Sequence, residues 1–225
     1  MIRAVVFDFD GVIANSEPLH FRAYRDVLVE RGLALTERDY YDRYLGYDDI
    51  GAFRAIAGDN GTTFTDADIA GLVARKAVRL EALEKAQSVL FPGAREAILR
   101  MAAAYPVAIA SGALKPEILR VLDHEGLRDV FPIVVSAEDT PASKPDPAPY
   151  LLAVDLLTAR VPGLVPTECV AIEDSVWGLQ SARTGGLRTV AIAHTYPAAD
   201  LVAHADATIE HLDAFTPTLV SSLAS

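Results

Sequence analysis

From residue 94 onward, short apolar runs alternate with segments of helical periodicity. The helical segments lie at 94–104, 116–125, 147–158 and 176–185. The apolar runs that follow them lie at 107–111, 132–136, 169–173 and 188–193. Each right-handed crossover between parallel strands lays its helix against the sheet, so this alternation predicts a parallel sheet covered on both faces. Residues 200–225 are expected to add a final short strand and helix.

A long stretch without strand patterns separates the first strand from this alternating region. Residues Ile2–Phe7 form a nearly continuous apolar run, which is typical of a strand buried in a parallel sheet. Helical patterns then begin after Ser16 and recur at 37–45, 48–57 and 65–87. The sequence therefore predicts an α/β, Rossmann-like core domain formed by residues 1–14 and 90–225. An α-helical domain, residues 15–89, is inserted into that core.

Composition and charge exclude several classes of protein. The chain has 225 residues, of which 51% are hydrophobic and 23% charged, as is typical of a globular protein with a sizeable core. A net charge of −11 provides no basic surface for nucleic acid or an anionic membrane. The longest uncharged stretch, residues 101–114, is too short for a membrane-spanning helix. Cys169 has no cysteine partner for a disulfide, so a cytoplasmic location is expected.

Four residues are expected to have structural roles only. Ser16 and Ser175 each precede a predicted helix and are interpreted as N-caps, because a serine oxygen can accept from the first free backbone amides. Cys169 is interpreted as a small apolar strand residue and Trp177 as a packing residue.

Polar residues stand where the predicted strands end. They are Asp8 and Asp10 after the first strand, Ser111 and Gly112 after the second, Lys144 beyond the third, and Glu173 and Asp174 at the end of the fourth. Ligands bind at the carboxyl ends of parallel strands, near the switch in strand order. We therefore expect these residues to converge on a single site.

The chemistry that fits these residues is phosphoryl transfer. A carboxylate can attack phosphorus and form an aspartyl phosphate, which divides one difficult displacement into two easier ones. Four carboxylates against the one ammonium group of Lys144 would repel a phosphate dianion unless a hard cation were bound. Mg²⁺ prefers oxygen ligands, so the sequence predicts a magnesium site. Lys144 and the hydroxyl of Ser111 could hold the non-bridging oxygens.

The motifs that contain these residues resemble those of the haloacid dehalogenase superfamily. They are Asp8-Phe9-Asp10-Gly11-Val12, Ala110-Ser111-Gly112, Ser143-Lys144-Pro145-Asp146-Pro147 and Ile172-Glu173-Asp174-Ser175. Their order and spacing resemble the branch with a helical cap inserted after the first motif, which includes phosphoglycolate phosphatases and β-phosphoglucomutases. The resemblance covers essentially the whole chain.

The resemblance implies a role for each residue of the first and last motifs. Asp8 corresponds to the nucleophile. Asp10 corresponds to the general acid that protonates the leaving oxygen and then, as a base, activates water. Mg²⁺ would be held by Asp8, by the backbone carbonyl of Asp10 and by Asp174, with Glu173 as a direct or indirect contributor. Asp10 also distinguishes phosphotransfer members from the dehalogenases, which lack an acid at that position and need no metal.

The other two motifs, and the cap, imply substrate contacts. Ser111, Gly112 and Lys144 correspond to the groups that bind the transferring phosphoryl group. A helical cap can close over the cleft and exclude water during transfer. The candidates for cap specificity are His20, Arg43, Gly46 and Tyr47. A second interpretation of His20, as a helix-face histidine without catalytic duty, stays open.

The expected function is that of a Mg²⁺-dependent phosphatase acting on a small phosphomonoester such as phosphoglycolate or a sugar phosphate. The alternative is a β-phosphoglucomutase-like enzyme, which would protect the aspartyl phosphate from water until a sugar arrives. A phospho-accepting signalling module is disfavoured because the second acidic pair follows Lys144 and a helical insert would have no purpose there. A small phosphorylated metabolite is the expected partner, and the oligomeric state is left open.

Overall fold

The computed structural model describes residues 1–45 and 47–224, and the chain divides into two compact units. One unit consists of residues 1–15 together with the chain from residue 89 onward. The other unit consists of Ser16–Ser88. We call them the sheet unit and the helical unit.

Among the described residues, six parallel strands form the sheet. They are β1 (Ala4–Phe7), β2 (Val107–Ala110), β3 (Val134–Val135), β4 (Cys169–Glu173), β5 (Arg188–Ile192) and β6 (Ala207–Ile209). Their order across the sheet is β3-β2-β1-β4-β5-β6, with every neighbouring pair parallel. The predicted α/β, Rossmann-like fold is thereby confirmed.

The helices follow the predicted alternation. The helical unit contains α1 (Glu17–Val29), α2 (Glu37–Asp39), α3 (Asp49–Asp59) and α4 (Asp66–Ala86). The sheet unit contains α5 (Ala94–Ala104), α6 (Lys115–His124), α7 (Ala148–Leu157), α8 (Val176–Thr184), α9 (Ala198–Leu201) and α10 (Pro217–Ser222). The helix predicted at 37–45 differs in kind, because α2 continues into a π-helical turn at Tyr40–Tyr44.

Burial on both faces explains the apolar strands of the sheet unit. All four residues of β1 and of β2 are buried, and so are the five residues of β4. Phe7, the last residue of β1, packs edge-on against Phe131 and Phe215, with 5.7 Å between ring centroids in each pair. The edge-to-face arrangement fixes ring positions below the end of the central strand.

The strand order creates a crevice beside β1. The chain runs from β1 to β2 and β3 on one side of β1 and then crosses to β4 on the other side, so the strand order reverses at β1. Phe7 is in register with both Ile109 and Ile172. The next residue, Asp8, is therefore level with Glu173 at the end of β4.

The helical unit has a core of its own. Tyr24 of α1, Phe53 of α3 and Leu72 of α4 are among its buried residues. Thr65 caps α4 through a reciprocal box, in which the Thr65 side chain accepts from the Asp68 amide while the Asp68 carboxylate accepts from the Thr65 amide. Local hydrogen bonds thus specify where α4 starts, and packing specifies which of its faces is buried.

Two of the four structural interpretations need correction. Trp177 does not pack in the core: it is 61% exposed on the first turn of α8. Ser16 occupies the N-cap position of α1 but has helical backbone angles, and its side chain makes no capping hydrogen bond. Ser175 does cap α8, since its hydroxyl oxygen accepts from the Gly178 amide at 3.0 Å. Cys169 is fully buried in β4, as predicted.

Within the described ranges 1–45 and 47–224, no helix combines the length and the apolar character needed to cross a membrane.

The burial of Cys169 predicts an unreactive thiol. Burial raises the pKa of Cys169 to about 12, and the charge of Glu168 acts in the same direction. Only the thiolate is a good nucleophile, so the native protein should resist alkylation by iodoacetamide from pH 7 to pH 9. Mass spectrometry should show full labelling only after denaturation in guanidinium. Stoichiometric labelling of the native protein at pH 8 would contradict the buried position.

Candidate active site

The candidate active site lies at the carboxyl end of β1 and β4. Asp8 directly follows β1, and its amide donates to the carbonyl of Ile172 at 3.0 Å, so the ladder still holds this residue. Glu173 is the last residue of β4 and Asp174 follows it. Asp8, Glu173 and Asp174 are all buried. The sequence prediction that the first and fourth strand ends converge agrees with this geometry.

Lys144 joins two of these carboxylates. Its Nζ donates to Oδ1 of Asp8 at 2.5 Å and to Oε1 of Glu173 at 2.7 Å. The same ammonium group lies 5.0 Å from the ring centroid of Tyr150, whose hydroxyl donates to Oε1 of Glu173 at 3.3 Å. Lys144 lies in the segment that precedes α7, and Tyr150 lies within α7.

The second oxygen of Glu173 organises the start of α8. Oε2 accepts from the amides of Asp174 and Ser175 and from the hydroxyl of Ser175, each at 2.9 Å. Because Oε1 accepts from Lys144 and Tyr150, both oxygens of this buried carboxylate are satisfied. Buried carboxylates are stable only with such partners.

The pKa values of Glu173 and Asp8 are shifted in opposite directions. Burial alone would raise the pKa of Glu173, but the charge and hydrogen bond of Lys144, with the bonds from Ser175, outweigh it and lower the pKa. Burial raises the pKa of Asp8 well above its usual range, with Lys144 opposing and the two neighbouring acids adding to the shift. Burial alone would lower the pKa of Lys144, but the charges of Asp8 and Glu173 outweigh it and raise the pKa.

Asp174 is the third acid of the group. Burial raises its pKa to about 7, and the neighbouring charge of Glu173 adds to the shift, while a hydrogen bond from Thr195 opposes it. Gly11 packs directly against this side chain: a Cβ at Gly11 would lie 1.9 Å from Oδ2 of Asp174. Gly11 also has a φ of +80°, which L side chains rarely adopt.

Three carboxylates could hold a metal ion. One ligand oxygen from each of Asp8, Glu173 and Asp174 lies within 4.8 Å of the others. The three carboxylates offer hard oxygen donors, and they outnumber the single ammonium group of Lys144. Such a set of donors fits a cation such as Mg²⁺. The carboxylate of Asp10 is not a member of this group, and Asp10 is exposed.

Ser111 lies beyond the end of β2, the neighbour of β1 on the other side. It is buried, and its amide donates to the carbonyl of Val135 at 2.9 Å. Its hydroxyl oxygen accepts from the amide of Ala113 at 3.0 Å, and the hydroxyl keeps its own hydrogen for donation. Gly112, the next residue, is exposed and has no heavy atom within 4 Å of a Cβ position.

The candidate specificity residues lie in the helical unit. Arg43 forms an ion pair of 2.6 Å with Asp59, and the hydroxyl of Tyr44 donates to the same carboxylate. Tyr47 is 54% exposed. Gly46 lies outside the described residues.

His20 belongs to a polar cluster that the sequence interpretation missed. The Nζ of Lys76 lies 3.1 Å from Nδ1 of His20 and 2.7 Å from Oδ1 of Asp49, which also accepts from Tyr24. An ammonium group only donates, so Nδ1 of His20 accepts. The signal was present in the sequence: Lys76 interrupts the apolar stripe of α4, where Leu72 and Leu80 occupy the positions four residues away. A charge on such a stripe needs a buried partner.

The sequence interpretation also missed Tyr150 and Gly178. Tyr150 is a fully buried tyrosine on an apolar helix, so its pattern predicts core packing, whereas its hydroxyl reaches Glu173. Gly178 packs against the same carboxylate: a Cβ there would lie 1.6 Å from Oε1 of Glu173. The contact of Tyr150 depends on tertiary packing and leaves no local signal, and that of Gly178 depends on how the turn between β4 and α8 folds.

This fold and this site define a class of protein, the α/β proteins with a buried acidic group at the carboxyl end of a parallel sheet. The chain belongs to the haloacid dehalogenase-like hydrolase family, whose model matches residues 2–186. The predicted enzyme class, a phosphoric monoester hydrolase of this family, is confirmed by that match and by relatives named as phosphatases.

Relatives with different names match most of the chain. It is 32% identical to hexitol phosphatase B of Escherichia coli (strain K12), covering 85% of this chain and 83% of that protein. It is 28% identical to the β-phosphoglucomutase of Bacillus subtilis (strain 168), covering 94% of each. The solved structure of CbbY from Rhodobacter sphaeroides in complex with phosphate is similar, with a TM-score of 0.77, 25% identity and coverage of 95% and 96%.

The close packing of Gly178 gives a direct test of the site. Gly178→Ala should lower the free energy of unfolding by about 1–3 kcal/mol, because Glu173 must move and lose hydrogen bonds. Gly58→Ala in α3 is the matched control, since no heavy atom lies within 4 Å of its Cβ position. Urea unfolding should show a neutral or slightly stabilising effect there. Equal effects at both positions would contradict the described packing.

Proposed function

We propose that this protein is a Mg²⁺-dependent phosphatase that hydrolyses a small phosphomonoester through an aspartyl phosphate on Asp8. The observation that carries the proposal is the buried carboxylate of Asp8, held by Lys144 at the end of the central strand, beside two further acids. A purely structural ion pair between Lys144 and Asp8 would not require oxygens of Glu173 and Asp174 within 4.8 Å of an Asp8 oxygen. A site that binds a cation does require several such oxygens close together.

In the first step, an oxygen of Asp8 attacks phosphorus and the bond from phosphorus to the ester oxygen breaks. Protonated Asp10 gives its proton to that oxygen, so the product leaves as a neutral alcohol. Asp10 suits this task because it is exposed and lies two residues from Asp8 on the same loop. Lys144 and Ser111 hold the non-bridging oxygens as charge spreads over them.

In the second step, the carboxylate of Asp10 takes a proton from water, and the water oxygen attacks phosphorus. The bond between Asp8 and phosphorus breaks, phosphate leaves, and Asp8 returns as a carboxylate. One residue thus serves as acid and then as base, which leaves Asp10 protonated for the next cycle.

The acidic group supports a bound divalent cation in this mechanism. Mg²⁺ held by Asp8, Asp174 and the backbone carbonyl of Asp10 would supply the positive charge that permits the acids to ionise together and would polarise the phosphoryl group. Glu173 contributes indirectly, because both its oxygens already accept hydrogen bonds from Lys144, Tyr150 and the start of α8. Its task is to orient Lys144.

The substrate class is a small phosphorylated metabolite, with a sugar phosphate or phosphoglycolate as the first candidates. The names of relatives, hexitol phosphatase and fructose-1-phosphate phosphatase among them, support a phosphorylated carbohydrate. We propose that the helical unit serves as the cap that selects the ester. The first connection to the sheet unit lies a few residues after Asp10, and the second lies just before Leu90. Ala14 forms β-bridges with both Asp10 and Leu90, so the two connections meet beside Asp10.

A mutase is the second candidate function. The 28% identity to a β-phosphoglucomutase over nearly the whole chain favours it. A mutase and a phosphatase share the first step and differ in what accepts the phosphoryl group from Asp8. Release of inorganic phosphate from sugar phosphates favours the phosphatase, whereas isomerisation of β-glucose 1-phosphate without release favours the mutase.

Asp8→Asn should abolish turnover, because an amide oxygen is a far weaker nucleophile than a carboxylate. The measurement is phosphate release from a panel of phosphomonoesters, including phosphoglycolate and hexose phosphates. It is run with Mg²⁺ and then with excess chelator, and wild-type activity should depend on the metal. Asp123→Asn, at an exposed position of α6 in the same unit, is the control and should retain activity. Comparable activity in Asp8→Asn would rule out the proposed nucleophile.

Arg43→Ala should lower kcat/KM for the best substrate by about tenfold, as expected if this cation contributes a charge-assisted bond to substrate selection. Arg54→Ala is the matched control, because Arg54 also forms an exposed ion pair in the helical unit, with Asp66. Both variants should keep nearly wild-type stability. An unchanged kcat/KM in Arg43→Ala would remove this residue from the specificity set.

A further inference from the structure

His194 follows β5 and contacts both segments that connect the sheet unit to the helical unit. Its Nδ1 lies 2.8 Å from the carbonyl oxygen of Gly11, in the first connection. Its ring stacks on Phe91, in the second connection, with 3.9 Å between centroids and 16° between planes. All three residues belong to the sheet unit.

The hydrogen bond fixes the form of the histidine. A carbonyl oxygen only accepts, so Nδ1 carries a proton. Burial lowers the pKa of His194, against the opposing effect of the Gly11 bond, and so favours the neutral ring. The neutral ring with the proton on Nδ1 is therefore the form described.

Phe91 is itself tied to the first connection. Its amide donates to the carbonyl of Ile13 at 3.0 Å, and the Asn15 amide donates to the carbonyl of Val89 at 2.7 Å. The two connections thus pair with each other. His194 lies against one residue of each of them, Gly11 and Phe91.

The neighbour of His194 reaches the acidic group. Thr195 donates a hydrogen bond to Asp174, and Asp174 packs against Gly11. Gly11, Asp174, Thr195 and His194 therefore form a closed ring of contacts. A shift of the Gly11 carbonyl would move the residue beside it, Asp10, and the surface against which Asp174 packs.

We propose that His194 is a positioning residue, which fixes the Gly11 carbonyl and Phe91 and so holds the Asp8–Gly11 loop in place against Asp174. The inference rests on the proposed function, since the loop contains the nucleophile and the acid of that reaction. His194 acts through Gly11 and does not contact the substrate in this role.

Two substitutions separate the donor from the ring. His194→Phe keeps a flat ring against Phe91 and removes the donor to Gly11. His194→Asn removes the ring and keeps an N–H donor close to the position of Nδ1. His204→Asn, at an exposed histidine of the same unit, is the control and should behave like wild type.

We expect His194→Phe to lower kcat about threefold to tenfold, with KM within about twofold and a modest fall in the unfolding midpoint from the lost hydrogen bond. His194→Asn should recover most of the lost kcat. Wild-type kcat in His194→Phe would overturn the proposal. So would an equal loss of kcat in both variants, because an N–H donor at this position would then fail to restore the loop.

Two readouts are independent of activity. A long-range proton–nitrogen NMR spectrum should show His194 protonated on Nδ1, and amide exchange in residues 11–15 should accelerate in His194→Phe only. Protonation on Nε2, or unchanged exchange, would overturn the proposal. If the wild-type protein released no phosphate from any ester, the proposed function would fail, while these two readouts would still decide the role of His194.

Discussion

The ion pair between Lys144 and Asp8 is the interaction on which the rest of the site depends. A carboxylate at the end of a fully buried strand is unfavourable unless a charge compensates it. Lys144 supplies that charge, and Glu173 holds Lys144 from the other side. Removing one partner would leave a buried charge uncompensated, which costs far more than a lost surface bridge. The ends of β1 and β4, together with Tyr150 of α7, are therefore coupled through one ammonium group.

The same balance explains why the site suits a cation. Three buried acids lie around one lysine, and Lys144 pairs with only two of them, so burial and their mutual repulsion oppose the ionisation of all three together. Hydrogen bonds from the amides of Asp174 and Ser175 stabilise the carboxylate of Glu173, and a bound cation would balance the charge of the other two. Stability and binding chemistry are opposed here, as is common where a fold keeps like charges together.

The sequence predicted the sheet well because its strands are short, apolar and separated by strong helical patterns. Asp8, Lys144, Glu173 and Asp174 could be named because each stands at a strand end or in a motif of the family. Trp177 was misjudged because a large aromatic residue on a helix usually packs, and only the orientation of α8 decides that it does not. Lys76 and Tyr150 act through residues distant in sequence, so no local pattern indicates their partners. Gly178 is close to Glu173 in sequence, but their contact depends on how the turn between β4 and α8 folds. The candidate specificity residues remain predictions.

The pairing of Asn15 with Val89 has a consequence for how such a chain can vary. The inserted segment leaves and returns at one point of the sheet unit, where its two ends are hydrogen-bonded to each other. The entropic cost of closing such a segment rises only slowly with its length. Inserts of different size and composition could therefore be exchanged at this point while the strands keep their register. Under the proposed function, the reaction chemistry and the choice of substrate would then be encoded in separable parts of the chain.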